Sequence, residues 1–123
     1  MTSNAEGEFH SEMTNAVEVM KRDLSYNPTR FVQMLAAHGA AEATRRLLRQ
    51  GHGSEGFTRL WEAGRLDLTA EAAALLPWYE ELFDRAERAE ARRRLLEHGF
   101  DLDGFLQRRR AHPPRWVEEG DAT

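Results

Sequence analysis

The stretch "SEGFTRLWEAGRLDLTAE", Ser54 to Glu71, decides the fold. Phe57, Leu60 and Trp61 recur at the spacing of one helix face, and Gly64 then supplies the left-handed stop that ends a helix. "RLDL" is too short for another long element and reads as a tight connector. Thr69 follows as an N-cap, and Glu71 falls in the first turn of the next helix, where the macrodipole favours a negative charge. A helix, a corner, a cap and a second helix in so short a span, with no alternation of apolar and polar residues, predict an all-α chain of short elements.

Working outward, the same grammar repeats. Upstream, Ser54 caps the helix just described, and Gly51 in "GHGS" closes a helix over "AAEATRRLLRQ". That helix places Ala40, Ala43, Leu47 and Leu48 on one side and Arg45, Arg46 and Arg49 on the other. Before it, "YNPTRF" opens a helix with Asn27 as N-cap and Pro28 in the first helical position. Phe31, Met34, Leu35 and His38 form its apolar face, and Gly39 ends it. Phe9, Met13, Ala16, Val17, Met20 and Leu24 define the first helix. Downstream, "AEAAALL" stops at Pro77, and Trp78, Tyr79, Leu82 and Phe83 make a short aromatic turn. Asp84 and Glu87 have capping-box spacing and open a polar helix, "RAERAEARRRLLEH", that ends at Gly99. Ala91, Leu95 and Phe100 supply its apolar contacts. Asp103 to Arg110 reads as a marginal helix and Ala111 onward as an extended, mobile tail.

The expectation is an all-α, compact bundle of about six or seven short helices with a mobile C-terminal tail and no solenoid repeat. Its divisions are a flexible N-terminus at 1–7, a helical domain at 8–104, and an arginine-rich helix turn and tail at 105–123.

The chain has 123 residues, a single-domain length, and no cysteine, which removes disulfide frameworks and thiol chemistry. Its net charge of −4 gives no global cationic field for nucleic acid. Only Lys21 among its basic residues is not arginine, as an arginine-rich coding bias gives. No apolar run reaches membrane-spanning length, and "MTSNAEGEFHSE" lacks the regions of a signal peptide, so a cytoplasmic location and no membrane are expected.

Chemistry-bearing patterns are few. His10, His38, His52, His98 and His112 form no HExxH pair or histidine ladder, and no acidic cluster matches a calcium loop, so no metal is expected. "GHGSEG" precedes a helix but follows another, without the strand or the Gly-Lys-Ser/Thr ending of a phosphate loop. Ser11, Ser25, Thr29, Ser54, Thr58 and Thr69 mostly sit where capping explains them. Glu80 and Glu81 are adjacent on a turn and face apart. No catalytic residue and no cofactor are expected.

"GRLDLT" is the exception. Arg65 and Asp67 flank Leu66, and the structural expectation is that Arg65 binds the exposed carbonyls of the preceding helix while Asp67 meets amides of the next. The sharper alternative makes Trp61, Arg65 and Asp67 one lip of a pocket. The alternating charges of "RAERAEARRRLLEH", such as Glu90 with Arg93 and Arg94, read as a solvated, self-paired face. Arg108, Arg109, Arg110 and Arg115, interleaved with Trp116, carry no acid among them and suit either a solubilising tail or a phosphate backbone.

The run from Glu8 to Gly99 resembles a widespread bacterial family of small helical proteins and appended domains of unknown function. The matching pieces are "YNPTRFVQML", "HGAAEATRRLL", "GFTRLWEAGRLDLTAEA", "LPWYEELF" and "ARRRLLEHG". The GFTxLWExGRLDLTxEA string carries the match. Where the family continues EALVLxPxFxxLF, this chain has "EAAALLPWYEELF", and the arginine tail lies outside the match. The resemblance implies a module that occurs alone or joined to larger proteins, some connected with nucleases or defence. It transfers no functional residue.

Three functions follow as expectations. The first is a non-enzymatic helical protein–protein interaction module, an adaptor, accessory subunit or small regulator, anchored by Trp61, Trp78, Tyr79 and Trp116, with self-association as a variant. The second is a nucleic-acid-associated accessory factor binding through Arg108, Arg109, Arg110 and Arg115, helped by Arg45, Arg46 and Arg49. The third is a small enzyme with a site at Trp61, Arg65, Asp67 and Glu71.

Overall fold

In the computed structural model, residues 4–51 and 53–121 are described. The first three residues of the expected flexible start, His52 of the glycine linker and the last two residues of the expected tail lie outside the described residues, as do the side chains of 119–121. Helix α1 (Asn4–Leu24) buries Ala5, Phe9, Met13, Ala16, Val17 and Met20, a face spaced by threes and fours. Residues 4–7 therefore belong to the helix rather than to a flexible start, because Ala5 continues the stripe one turn before Phe9.

Ser25, at φ +51°, turns the chain out of α1. Helix α2 (Thr29–His38) begins after Pro28, and the Thr29 N–H donates to the Asn27 main-chain carbonyl at 2.8 Å. The expected Asn27 side-chain cap is absent. Gly39 (φ +77°) joins α2 to α3 (Ala40–Arg49), whose first N–H, on Ala40, donates to His10 Nδ1 at 3.1 Å. A side chain of α1 thus caps α3, with an unprotonated ring nitrogen as acceptor.

Helix α4 (Glu55–Glu62) starts as expected, with the Phe57 N–H donating to Ser54 Oγ at 3.1 Å. It ends in a Schellman motif: Gly64 takes φ +70°, and the Arg65 N–H donates to the Leu60 carbonyl at 2.8 Å. A 3-10 turn (Leu66–Leu68) leads to α5 (Ala70–Ala74), capped by Thr69 Oγ1, which accepts from the Ala72 N–H at 3.1 Å. Proline then forces a second 3-10 segment, Pro77–Leu82. Asp84 and Glu87 complete the capping box of α6 (Arg85–Glu97), and Gly99 closes it.

The five residues of α5 are all buried, wedged against α1, α3 and α6. Phe9 of α1 meets Tyr79 and Phe83 edge-on at 5.0 and 5.3 Å, which joins the first helix to the aromatic turn. Among the described residues there are eight α-helices and no strand.

Two sequence expectations change. Helix α7 (Leu102–Ala111) buries Leu102, Phe105 and Leu106, so the core crosses the expected boundary at residue 104. Beyond the prolines the chain forms α8 (Arg115–Asp121) instead of an extended strand of tail. The Pro114 carbonyl accepts the Val117 N–H at 3.0 Å, and Trp116 packs on Tyr79 with ring centroids 5.9 Å apart. Two prolines before a helix suit its open first turn.

The face of α6 is also not wholly solvated. Arg94 is 1% exposed. Its guanidinium donates to Glu90 Oε2 at 2.6 Å, to Glu71 Oε2 at 3.1 Å and to the Leu48 carbonyl at 3.3 Å. It thereby ties the starts of α5 and the end of α3 to α6, taking a carbonyl that the terminus of α3 leaves without a helical partner. Glu71, 2% exposed, is buried with it. Burial pushes its carboxyl above the usual carboxylate range, and Arg94 pulls the other way.

Candidate functional site

The corner that opened the sequence reading separates its side chains. Arg65 forks onto Asp67, Nε donating to Oδ1 at 3.0 Å and Nη2 to Oδ2 at 3.1 Å. The helix carbonyl expected to bind the Arg65 side chain is taken by the Arg65 main-chain N–H, because the left-handed Gly64 brings that amide back over the helix end. Asp67 likewise leaves the amides of α5 to Thr69. Glu71 points inward to Arg94, and Trp61 stands edge-on to His98. The four residues of the enzyme reading therefore do not converge.

Trp61 is 46% exposed, and Leu96 is the other large apolar side chain exposed among the described residues. They sit in the last turns of α4 and α6, and His98 joins those ends. The Trp61 ring stands edge-on to His98 at 5.1 Å, and His98 stands edge-on to Phe57 at 4.9 Å. His98 Nδ1 lies 2.7 Å from the Arg94 carbonyl, so the nitrogen carries the proton and donates. The indole is consequently held in place by an imidazole that is itself fixed from below. A rigid, half-exposed aromatic loses little freedom when a partner covers it.

A second feature runs between α1 and α7, a groove of about 820 Å³ on which Asp67, Tyr79, Arg108, Arg109 and Trp116 meet Glu8 and Glu12. Tyr79 Oη donates to Glu12 Oε1 at 2.9 Å, and Arg109 Nη2 donates to Glu12 Oε2 at 2.9 Å. Arg109 also lies over Trp78 and Phe105 at 6.0 and 5.8 Å. Burial and the neighbouring Glu12 carboxylate hold the Tyr79 phenol far above its ordinary range. Tyr79 is 1% exposed and belongs to the core, so a partner would reach it only by displacing Trp116. The indole N–H groups of Trp78 and Trp116 are buried without an acceptor among the described residues.

The arginine run does not act as one stripe. Arg109 pairs with Glu12 and Arg108 is exposed on the same groove, while Arg110 and Arg115 are exposed and do not line it. Arg45, Arg46 and Arg49 pair with Glu42 and Glu87 or donate to the Leu82 carbonyl. Among the described residues no group of three or more histidine or acidic side chains is placed to hold a metal ion, and no helix is long and apolar enough to cross a membrane.

Sequence reasoning missed Leu96, His10 and Arg94. Arg94 had a signal: Glu87, Ala91, Arg94, Leu95 and His98 share the inner face of α6 by spacing, so an arginine stands where an apolar residue is expected. No family model, no curated protein and no solved structure matches the chain.

Proposed function

We propose that the chain is a non-enzymatic helical interaction module that holds a protein partner on the joined ends of α4 and α6, with Trp61 as the anchor. One observation carries this reading: Trp61 is half exposed yet fixed edge-on to His98, with exposed Leu96 at the neighbouring helix end. Buried aromatics dominate interface energies, and truncating such an anchor costs about 2 kcal/mol or more, a loss of roughly thirtyfold in affinity. Phe57, Leu60, Leu66 and Thr69 within the GFTxLWExGRLDLTxEA string are buried and seal the corner that presents Trp61.

Affinity capture with the wild-type chain, Trp61→Ala, Leu96→Ser and the double variant Arg108→Gln/Arg110→Gln tests the reading. A partner lost with Trp61→Ala and kept by the arginine variant supports it. A partner lost only with the arginine variant, or nucleic acid captured with a steep salt dependence, favours the tail and overturns it.

A further inference from the structure

Helix α2 packs differently from its neighbours. It leans on α3, yet Leu35 alone of its apolar residues is buried, while Phe31, Val32 and Met34 stay half-buried. Beneath it lies a cavity of about 680 Å³. Met13, Met20 and Met34, every methionine of the chain except Met1, line this space together with Phe31, Phe57 and Leu60. Unbranched thioether side chains adapt to ligands of varied shape. The volume falls inside the roughly 300–1,000 Å³ of small-molecule sites, which are mostly apolar with a few placed polar groups.

Those polar groups stand at the mouth and on the floor. Arg30, exposed on the first turn of α2, lines the cavity and has no acidic partner among the described residues. Beside it the Tyr26 ring is held under Arg59, 4.6 Å from its guanidinium carbon. Glu55 lines the α4 side, so an anion is favoured on the α2 side only. Glu71 also lines the cavity, and its carboxylate is already engaged by the buried Arg94 guanidinium.

We propose that this cavity binds a single-chain amphiphile with a carboxylate head. The alkyl tail lies against the half-buried Phe31 and Met34, and the carboxylate pairs with Arg30. This site is separate from the Trp61 surface and stands or falls without it.

Isothermal titration of the full chain with decanoate and with decyltrimethylammonium, each below its micelle threshold, tests the proposal. The expected result is one decanoate per chain, and binding of the cationic amphiphile weaker by at least about tenfold. Arg30→Gln should weaken decanoate by about tenfold and leave the cationic amphiphile unchanged or improved. Met34→Trp, which fills the cavity, should abolish binding of both. Because Arg30 is exposed, its variant folds whatever the fate of Met34→Trp, and the head-group comparison stands by itself. No binding of decanoate, equal affinity for both head groups, or many molecules adsorbed per chain would overturn the proposal. So would a chain that sediments as a dimer and becomes monomeric with Met34→Trp, which would make a second copy the occupant.

Discussion

Replacing Arg94 by methionine isolates the most costly interaction in the fold. Methionine keeps the apolar stem and deletes the guanidinium, leaving Glu71 buried opposite nothing and the Leu48 carbonyl without its donor. Breaking a buried pair from one side costs about 3–5 kcal/mol. The variant has one escape, which is to protonate Glu71. At about 1.4 kcal/mol per pH unit, holding that carboxyl neutral at pH 7 against an ordinary value of 4.5 costs about 3 kcal/mol, and the orphaned carbonyl adds about 1 kcal/mol.

The pH dependence has a fixed sign. A carboxyl whose folded value lies above its unfolded one stabilises the protein fully below pH 4.5 and loses that contribution as pH rises through the folded value. The penalty of Arg94→Met should therefore be smaller at pH 5 than at pH 7. Urea unfolding followed by far-ultraviolet circular dichroism at both pH values reads it directly. Adding Glu71→Gln to Arg94→Met should restore most of the loss at pH 7. A penalty below about 1 kcal/mol, or one identical at the two pH values, would refute the reasoning.

Two further outcomes follow from the same contacts. Burial raises the phenols of Tyr26 and Tyr79 above their ordinary 10.0, with Glu12 adding to the rise at Tyr79. Stability is thus intact below pH 10 and falls as pH climbs past it; the Tyr79 share of the 295 nm absorbance should appear only as the chain unfolds, and Tyr79→Phe should soften the decline. His10→Ala removes the acceptor for the Ala40 N–H and should cost about 1 kcal/mol in urea unfolding, whereas a neutral result would show that water serves that amide equally well.

How much of this was legible in the sequence follows from the range of each interaction. Ser54, Thr69 and the Asp84–Glu87 box act on amides three residues away, so spacing along the chain reveals them. Gly64, Gly99 and Pro77 impose their turns through their own backbone, and they too were readable. Partners distant in sequence were not. His10 caps an amide thirty residues on, and Arg94 reaches Leu48 across forty-six, distances over which local periodicity carries no information. Asn27 failed as a cap because its main-chain carbonyl does the work beside Pro28. Helix α8 within the tail was missed because polar composition suggested an extended chain, while Trp116 packs on Tyr79, far upstream in the sequence. Of the candidate site, Trp61 was visible as an aromatic at a corner. Its exposure and its packing on His98 emerged only from the folded chain.

Tryptophan quenching in the captured complex tests the recognition role of Trp61 most directly. A chain carrying Trp78→Phe and Trp116→Phe retains Trp61 as its single indole and loses two N–H groups that lack acceptors, so it should fold at least as well. Iodide should quench Trp61 readily in the free chain and weakly once the partner is bound. An indole equally open to iodide in both states would contradict the account.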